Sequence, residues 1–227
     1  MSFSAVAIVI LTITAVNWQK RPLGPHASVD LADGFDYPVG SPNGKGYYVY
    51  RGFTPGSHLG EDWNGNAGGD TDEGDPVSSI GNGVVVFSED FENAWGNVII
   101  IRHAYRQFDG EVALVDSLYA HLKDRKVATG EKVTRGQWIG TIGKGPERAY
   151  TAHLHFEIRK NIRIGMQRHL YPKTHANYFS PRSFISERRS LPKENGKFEV
   201  PMKTFGGKGN SSKLSLAKKL QGPLSES

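Results

Sequence analysis

Two histidines separated by one residue, His153 and His155 in Ala-His-Leu-His-Phe-Glu-Ile-Arg, are spaced for chemistry. Alternate residues of a β-strand point to one side. The two imidazoles would therefore project together while Leu154, Phe156 and Ile158 face a core. A second segment, His-Leu-Gly-Glu-Asp, places His58 and Asp62 four residues apart, with Glu61 as a rival ligand one residue nearer. His58, Asp62 and His155 together offer two nitrogens and an oxygen. Three protein ligands with a fourth position left for water is the composition of a catalytic zinc site. His121, in Ser-Leu-Tyr-Ala-His-Leu, is the next candidate. Leu118, Ala120 and Leu122 alternate with Tyr119 and His121, so a strand here would turn its apolar side to the core. His121 would then share a groove floor with His153 and His155. His26, His103, His169 and His175 read as structural or solvated, although His103 could neighbour that groove and His169 and His175 could line its wall.

The rest of the chain must position these residues. It has 227 residues and no cysteine, which excludes disulfides, zinc-cysteine clusters and thiol nucleophiles. A metal would be held by nitrogen and oxygen alone. The net charge of +5 suits polyanionic surroundings such as a cell wall. No helix-turn-helix, zinc finger or aromatic RNA platform accompanies it, so no nucleic-acid partner is expected. Short apolar stretches at 47–53, 83–88, 97–103, 112–122, 138–142 and 154–159 alternate with glycine turns such as Gly65-Asn66 and Asp109-Gly110. That pattern predicts an all-β domain.

Four segments follow from composition. Residues 1–20 read as a signal peptide or N-terminal anchor, on the apolar run 5–16, too short for the ~20 residues of a membrane span. The chain is accordingly expected to be exported to a periplasm, cell envelope or medium. Residues 21–41, rich in Pro, Gly and Asp, read as a linker, and 42–188 as the folded domain that carries the histidine motifs. Residues 189–227 read as a basic, disordered tail with few large apolar side chains.

The stretch Gly130 to Gly140 spaces Gly, Val, Gly, Gln and Ile for tight turns between short strands. In the order HxxxD, YAHL, G-x-x-V-x-x-G-x-x-I-G and HLHFE, the chain resembles the lysostaphin-type zinc metallopeptidases, a family of bacterial cell-wall endopeptidases. The resemblance runs from about Gly52 to Ile185 and takes in Gly74-Asp75-Pro76-Val77 and Gly96-Asn97-Val98. It implies that His58, Asp62 and His155 bind one zinc ion per chain and that His121 and His153 are catalytic without being ligands. It further implies a compact antiparallel β-sheet or sandwich of the duplicated hybrid motif type, with an open groove for an extended peptide. The substrate would be peptidoglycan peptides, in stem-peptide cross-links or glycine-rich bridges, cut by a monomer. The basic tail would meet anionic wall polymers, and a membrane would be met only through the N-terminal anchor.

The chain departs from that family at Glu61, where an apolar residue is common, and at 145–152, which replaces a stretch rich in glycine and threonine. A tyrosine that some members aim at the reacting carbonyl is not assignable among Tyr47, Tyr48 and Tyr50. Two other classes compete. A non-catalytic wall-binding module or hydrolase activator could use the same scaffold, and zinc content separates it from an enzyme. The turns of 130–140 also resemble lipoyl or biotinyl carriers and a sugar-transport phosphocarrier, but no lysine sits at an evident hairpin tip.

Overall fold

The computed structural model describes residues 24–91 and 94–205. In chain order the strands are β1 (His26–Asp30), β2 (Tyr47–Arg51), β3 (Glu61–Gly65), β4 (Pro76–Ser78), β5 (Gly83–Asp90) and β6 (Asn97–Arg106). They continue with β7 (Val112–Arg125), β8 (Lys132–Val133), β9 (Trp138–Ile142), β10 (Leu154–Arg159), β11 (Tyr178–Phe179) and β12 (Lys197–Pro201). One helix, α1 (Pro181–Glu187), precedes β12 and opens on a proline, whose missing N–H costs nothing at a helix start. No helix among the described residues is long and apolar enough to cross a membrane.

Ten strands form one antiparallel sheet whose main path runs β2-β3-β10-β7-β6-β5-β8. Both faces of its centre are covered, so β6 reads as a continuous apolar run rather than an alternation. Ile99 and Ile101 join the core on one face with Tyr119, Leu154, Phe156 and Phe184. Val98 and Ile100 join Leu118 and Ala120 on the other. The second face is roofed by a two-stranded sheet of β1 and β12, which contributes Val29 and Val200.

That roof revises the expected boundaries. Residues 24–41, expected as a linker, supply β1 and then Phe35, which meets Tyr105 and Phe184 edge-on at 5.5 and 4.9 Å. Residues 189–205, expected as tail, supply β12 and bury Leu191 and Met202. A strand pair made from the two ends of the chain carries little local signature, because each partner lies some 170 residues from the other. The signal-peptide or anchor segment and the tail beyond Phe205 lie outside the described residues.

The site sits where the central sheet forks. Along one edge β7 pairs with β10 as far as Ala120↔His155, and from Leu122↔Ile142 onward it pairs with β9 instead. A lone bridge between Gly143 and His153 joins the ends of β9 and β10 at the fork. Gly143 is required there, since a Cβ would come within 2.5 Å of the His121 carbonyl oxygen.

Candidate metal centre

The fork changes which way His121 points. Direct cross-strand partners share a face, so Ala120 faces with His155, and Tyr119 faces the opposite core with Phe156. Strict alternation would send His121 to that core as well. Between the pairs Asn97↔Leu122 and Ile99↔Tyr119, however, β7 advances three residues while β6 advances two. This β-bulge lets Ala120 and His121 both face the site, and Leu122 returns to the Tyr119 core. The expected grouping of Leu118, Ala120 and Leu122 on one side is therefore corrected: Leu122 leaves it. His121 takes φ +62°, a left-handed backbone costing on the order of 1 kcal/mol for a non-glycine residue. The structure still gathers the three histidines: the His121 ring lies 4.9 Å from that of His153 and 5.6 Å from that of His155.

Pairing also separates the two rival carboxylates. Asp62 is opposite His155, whereas Glu61 is opposite Phe156 and so lies on the far face. There Glu61 is buried and accepts from the Arg182 Nε of α1 at 3.2 Å. Asp62 Oδ1 instead lies 3.1 Å from His58 Nε2 and 2.8 Å from His155 Nδ1, and the two nitrogens are 3.2 Å apart. Gly60 allows this approach of β3 to β10, since a Cβ there would fall 2.4 Å from the Phe156 carbonyl oxygen.

The outer partners decide what these three atoms present to one another. His58 Nδ1 donates to the Gly52 carbonyl at 2.9 Å, and His155 Nε2 donates to Glu157 at 3.1 Å. A carbonyl or carboxylate oxygen can only accept, so those ring nitrogens carry the protons. Lone pairs of His58 Nε2 and His155 Nδ1 then converge with an anionic oxygen on one point. Such a point calls for a cation. Burial opposes ionisation of Asp62, yet the hydrogen bonds and charge that His155 and His58 supply when protonated hold its carboxyl well below the usual range. Burial likewise opposes charging of His155, yet Asp62 and Glu157 raise its pKa. Both shifts are those of a proton held on imidazole against an anionic Asp62, the place a metal cation would take. The donor set therefore fits a divalent metal, including the outer acceptors that orient metal-binding imidazoles.

His121 and His153 stand beside this triad with their tautomers fixed in the same way. His121 Nδ1 donates to the Trp95 carbonyl at 3.2 Å, and His153 Nδ1 to the Thr151 carbonyl at 2.7 Å. Each is left with Nε2 free of a protein hydrogen bond among the described residues, and that of His153 lies 4.0 Å from Asp62. Burial, then the neighbouring charge of His155 and His153, pushes the His121 pKa down to about 3, so its imidazole is neutral near pH 7.

These groups line an open cavity of about 270 Å³. Four further lining residues, Arg51, Trp95, Tyr150 and Arg168, were not singled out by the sequence. Tyr150 lies in the departing segment 145–152, its ring 4.8 Å from that of His121. Tyr47, Tyr48 and Tyr50 do not line the cavity, nor do His26, His103, His169 or His175. His103 is fully buried and bonds Ser117 Oγ at 2.7 Å and the Asn82 carbonyl at 2.8 Å.

Residues 57–167 match the family model described as Peptidase family M23. The chain carries a domain of that family. Its M23 domain is 39% identical over 88 residues to the peptidoglycan DD-endopeptidase ShyC of Vibrio cholerae, covering 39% of this chain and 18% of that protein. It is 31% identical over 87 residues to the cell division protein DipM of Caulobacter vibrioides, covering 38% of this chain and 13% of DipM. The alignments thus span less than a fifth of these relatives. A solved structure of a zinc-containing peptidase from Vibrio cholerae is 29% identical, covers 56% of this chain and 37% of its own, and superposes with a TM-score of 0.45.

Proposed function

We propose that this chain is a zinc metalloendopeptidase that hydrolyses peptide bonds in bacterial peptidoglycan. One observation carries the reading: His58, Asp62 and His155 aim two lone pairs and a carboxylate oxygen at a single point, with His121 and His153 beside it in an open cavity. Zinc held by those three residues would supply an acidified water and polarise the scissile carbonyl. The chain's own residues then manage the proton. A neutral His121 or His153 accepts it at Nε2 as the water oxygen bonds to the carbonyl carbon. The same proton passes to the nitrogen of the breaking C–N bond, which leaves as an amine. Carbonyl acceptors on Trp95 and Thr151 hold both rings with Nε2 available for that transfer. The left-handed turn at His121 fits this role, since strained backbone collects where function requires it. Relatives named as peptidoglycan DD-endopeptidases support the substrate class.

The test is incubation of the purified chain with peptidoglycan, with and without a chelator, and mass spectrometry of the released fragments. New amine and carboxyl ends are expected, lost with the chelator and restored by zinc. His121→Ala and His153→Ala should each retain zinc and lose about 100- to 10,000-fold in turnover, the usual contribution of general acid-base catalysis. Turnover within tenfold of the parent in both variants would remove them from the mechanism.

A further inference from the structure

The cavity holds two cations that no carboxylate of the described chain neutralises. Arg51 closes β2, and Arg168 opens the 3-10 turn Arg168–Leu170. Both line the cavity with the histidines. Most other described arginines are paired with carboxylates, among them Arg102 with Asp116, Arg148 with Glu73, Arg159 with Glu157 and Arg182 with Glu61, whereas Arg125 bonds Asn97 and Ser88 instead. Asp62 is the one acidic side chain of the cavity lining, and it is engaged by His58 and His155.

Arg168 is also held in a form suited to recognition. Its guanidinium carbon lies over the Trp95 indole, 4.7 Å from the ring centroid, and that indole packs edge-on to the His155 ring at 5.6 Å. Stacking uses the flat face of a guanidinium and leaves the N–H groups along its edge free. Those donors match the two oxygens of a carboxylate, and a planar fork already fixed in place loses little freedom on binding. Half-buried beside an indole, it is screened less than a surface lysine.

We propose that Arg168, seated on Trp95 and assisted by Arg51, grips a free carboxylate of the peptide next to the bond that is cut. The inference rests on the hydrolase reading above and narrows its substrate: anionic stem peptides are favoured over neutral glycine bridges. The carboxylate is either a peptide α-carboxylate or a side-chain one. Both present the same two oxygens.

Full-length zinc-loaded protein, given four synthetic stem-peptide cross-links, tests the proposal. In these the α-carboxylate and the side-chain carboxylate are both free, singly amidated, or both amidated. Amidation of the recognised group should lower kcat/KM by about 10- to 100-fold, the worth of a charged hydrogen-bond pair. The singly amidated peptides say which carboxylate is held. R168Q should cut all four at one slow rate, R168K should recover part of the preference, and R51Q should weaken it less. Calorimetric binding of an uncleavable analogue with a reduced peptide bond gives the same comparison where a variant turns over too slowly. Equal kcat/KM for all four peptides would overturn the carboxylate grip and leave the hydrolase reading standing. Unaltered preference in R168Q would do the same for Arg168. Failure to cut any peptide or whole peptidoglycan would sink the hydrolase reading itself, and this proposal with it.

Discussion

The second face of the central sheet carries two clusters of buried polar groups, and they are built to opposite rules. Under the β1-β12 roof, Arg102 and Asp116 form a bidentate pair with both contacts at 2.7 Å. The remaining Arg102 donors reach the Pro201 and Ile162 carbonyls. Next along the face, Arg159 Nε donates to Glu157 at 2.6 Å. Every charge there meets its opposite, and the strands close over it. At the fork, by contrast, Asp62, His58 and His155 bring acceptors together with no donor between them. A buried cluster whose charges are paired within it holds the fold. One that lacks a cation marks where the protein expects something from outside.

The largest expected effect is at the fork. His155→Ala should remove bound zinc, read by metal analysis of the purified variant, and abolish peptidoglycan hydrolysis, with little loss of secondary structure. Full zinc occupancy in that variant would show that the site does not depend on His155. Under the roof the result should invert. Arg102→Met leaves Asp116 buried without its partner and should cost about 3–5 kcal/mol of stability in denaturant unfolding while zinc content stays at one per chain. Arg102→Met with Asp116→Leu should recover most of that loss, because removing both charges removes the unpaired one. A folded Arg102→Met protein without zinc would mean that the two clusters are not separate.

What could be read from the sequence follows this division only in part. His153 and His155 are local neighbours, and a two-residue period suffices to place them. His58 and Asp62 were within reach because Gly60 and the four-residue spacing are local too. That β3 is a strand was not legible: Glu61 and Asp62 lead it with charge, and each is buried only because α1 and β10 supply partners from over 90 residues away. His121 was placed on the right side of the sheet for a reason that does not hold, since alternation would have sent it to the core. The bulge that redirects it leaves no mark in Leu-Tyr-Ala-His-Leu. Trp95 and Arg168 come from separate loops and meet only in three dimensions. Glu157, two residues beyond His155, was accessible to the same strand logic that paired the histidines.

A second comparison sets His103 against His121, two buried imidazoles on opposite sides of the sheet. Burial pushes the His103 pKa down to about 4, against a smaller upward effect of the Asn82 carbonyl, and Ser117 and the Phe35 ring complete its surroundings. In the unfolded chain the group titrates near 6.5. Between these values the unfolded state binds the extra proton, so stability rises with pH across the interval and is lost as pH falls from about 6.5 toward 4. The loss approaches about 3 kcal/mol at the acid end. His103→Gln should flatten that part of the stability curve, measured by urea unfolding from pH 4 to 7, whatever its effect at pH 7. An unchanged slope would mean that His103 does not remain neutral in the folded protein.

The smallest effect belongs to the residue that links the clusters. Glu157 accepts from His155 with one oxygen and from Arg159 with the other. Burial would raise its carboxyl, but Arg159 and His155 hold it at about 2. Glu157→Gln keeps an acceptor for the His155 N–H and removes the negative charge behind it. Zinc affinity should fall by about 10- to 100-fold, as for other outer partners of metal-binding histidines, and competition with a chelator of known strength measures this. The same variant leaves Arg159 without its carboxylate, so part of the change could reach the site through a relaxed strand. Repeating it beside Arg159→Met separates the two routes. If the affinity loss is the same with and without Arg159, Glu157 acts directly on His155. If it shrinks, the closed cluster helps to set the metal affinity of the open one.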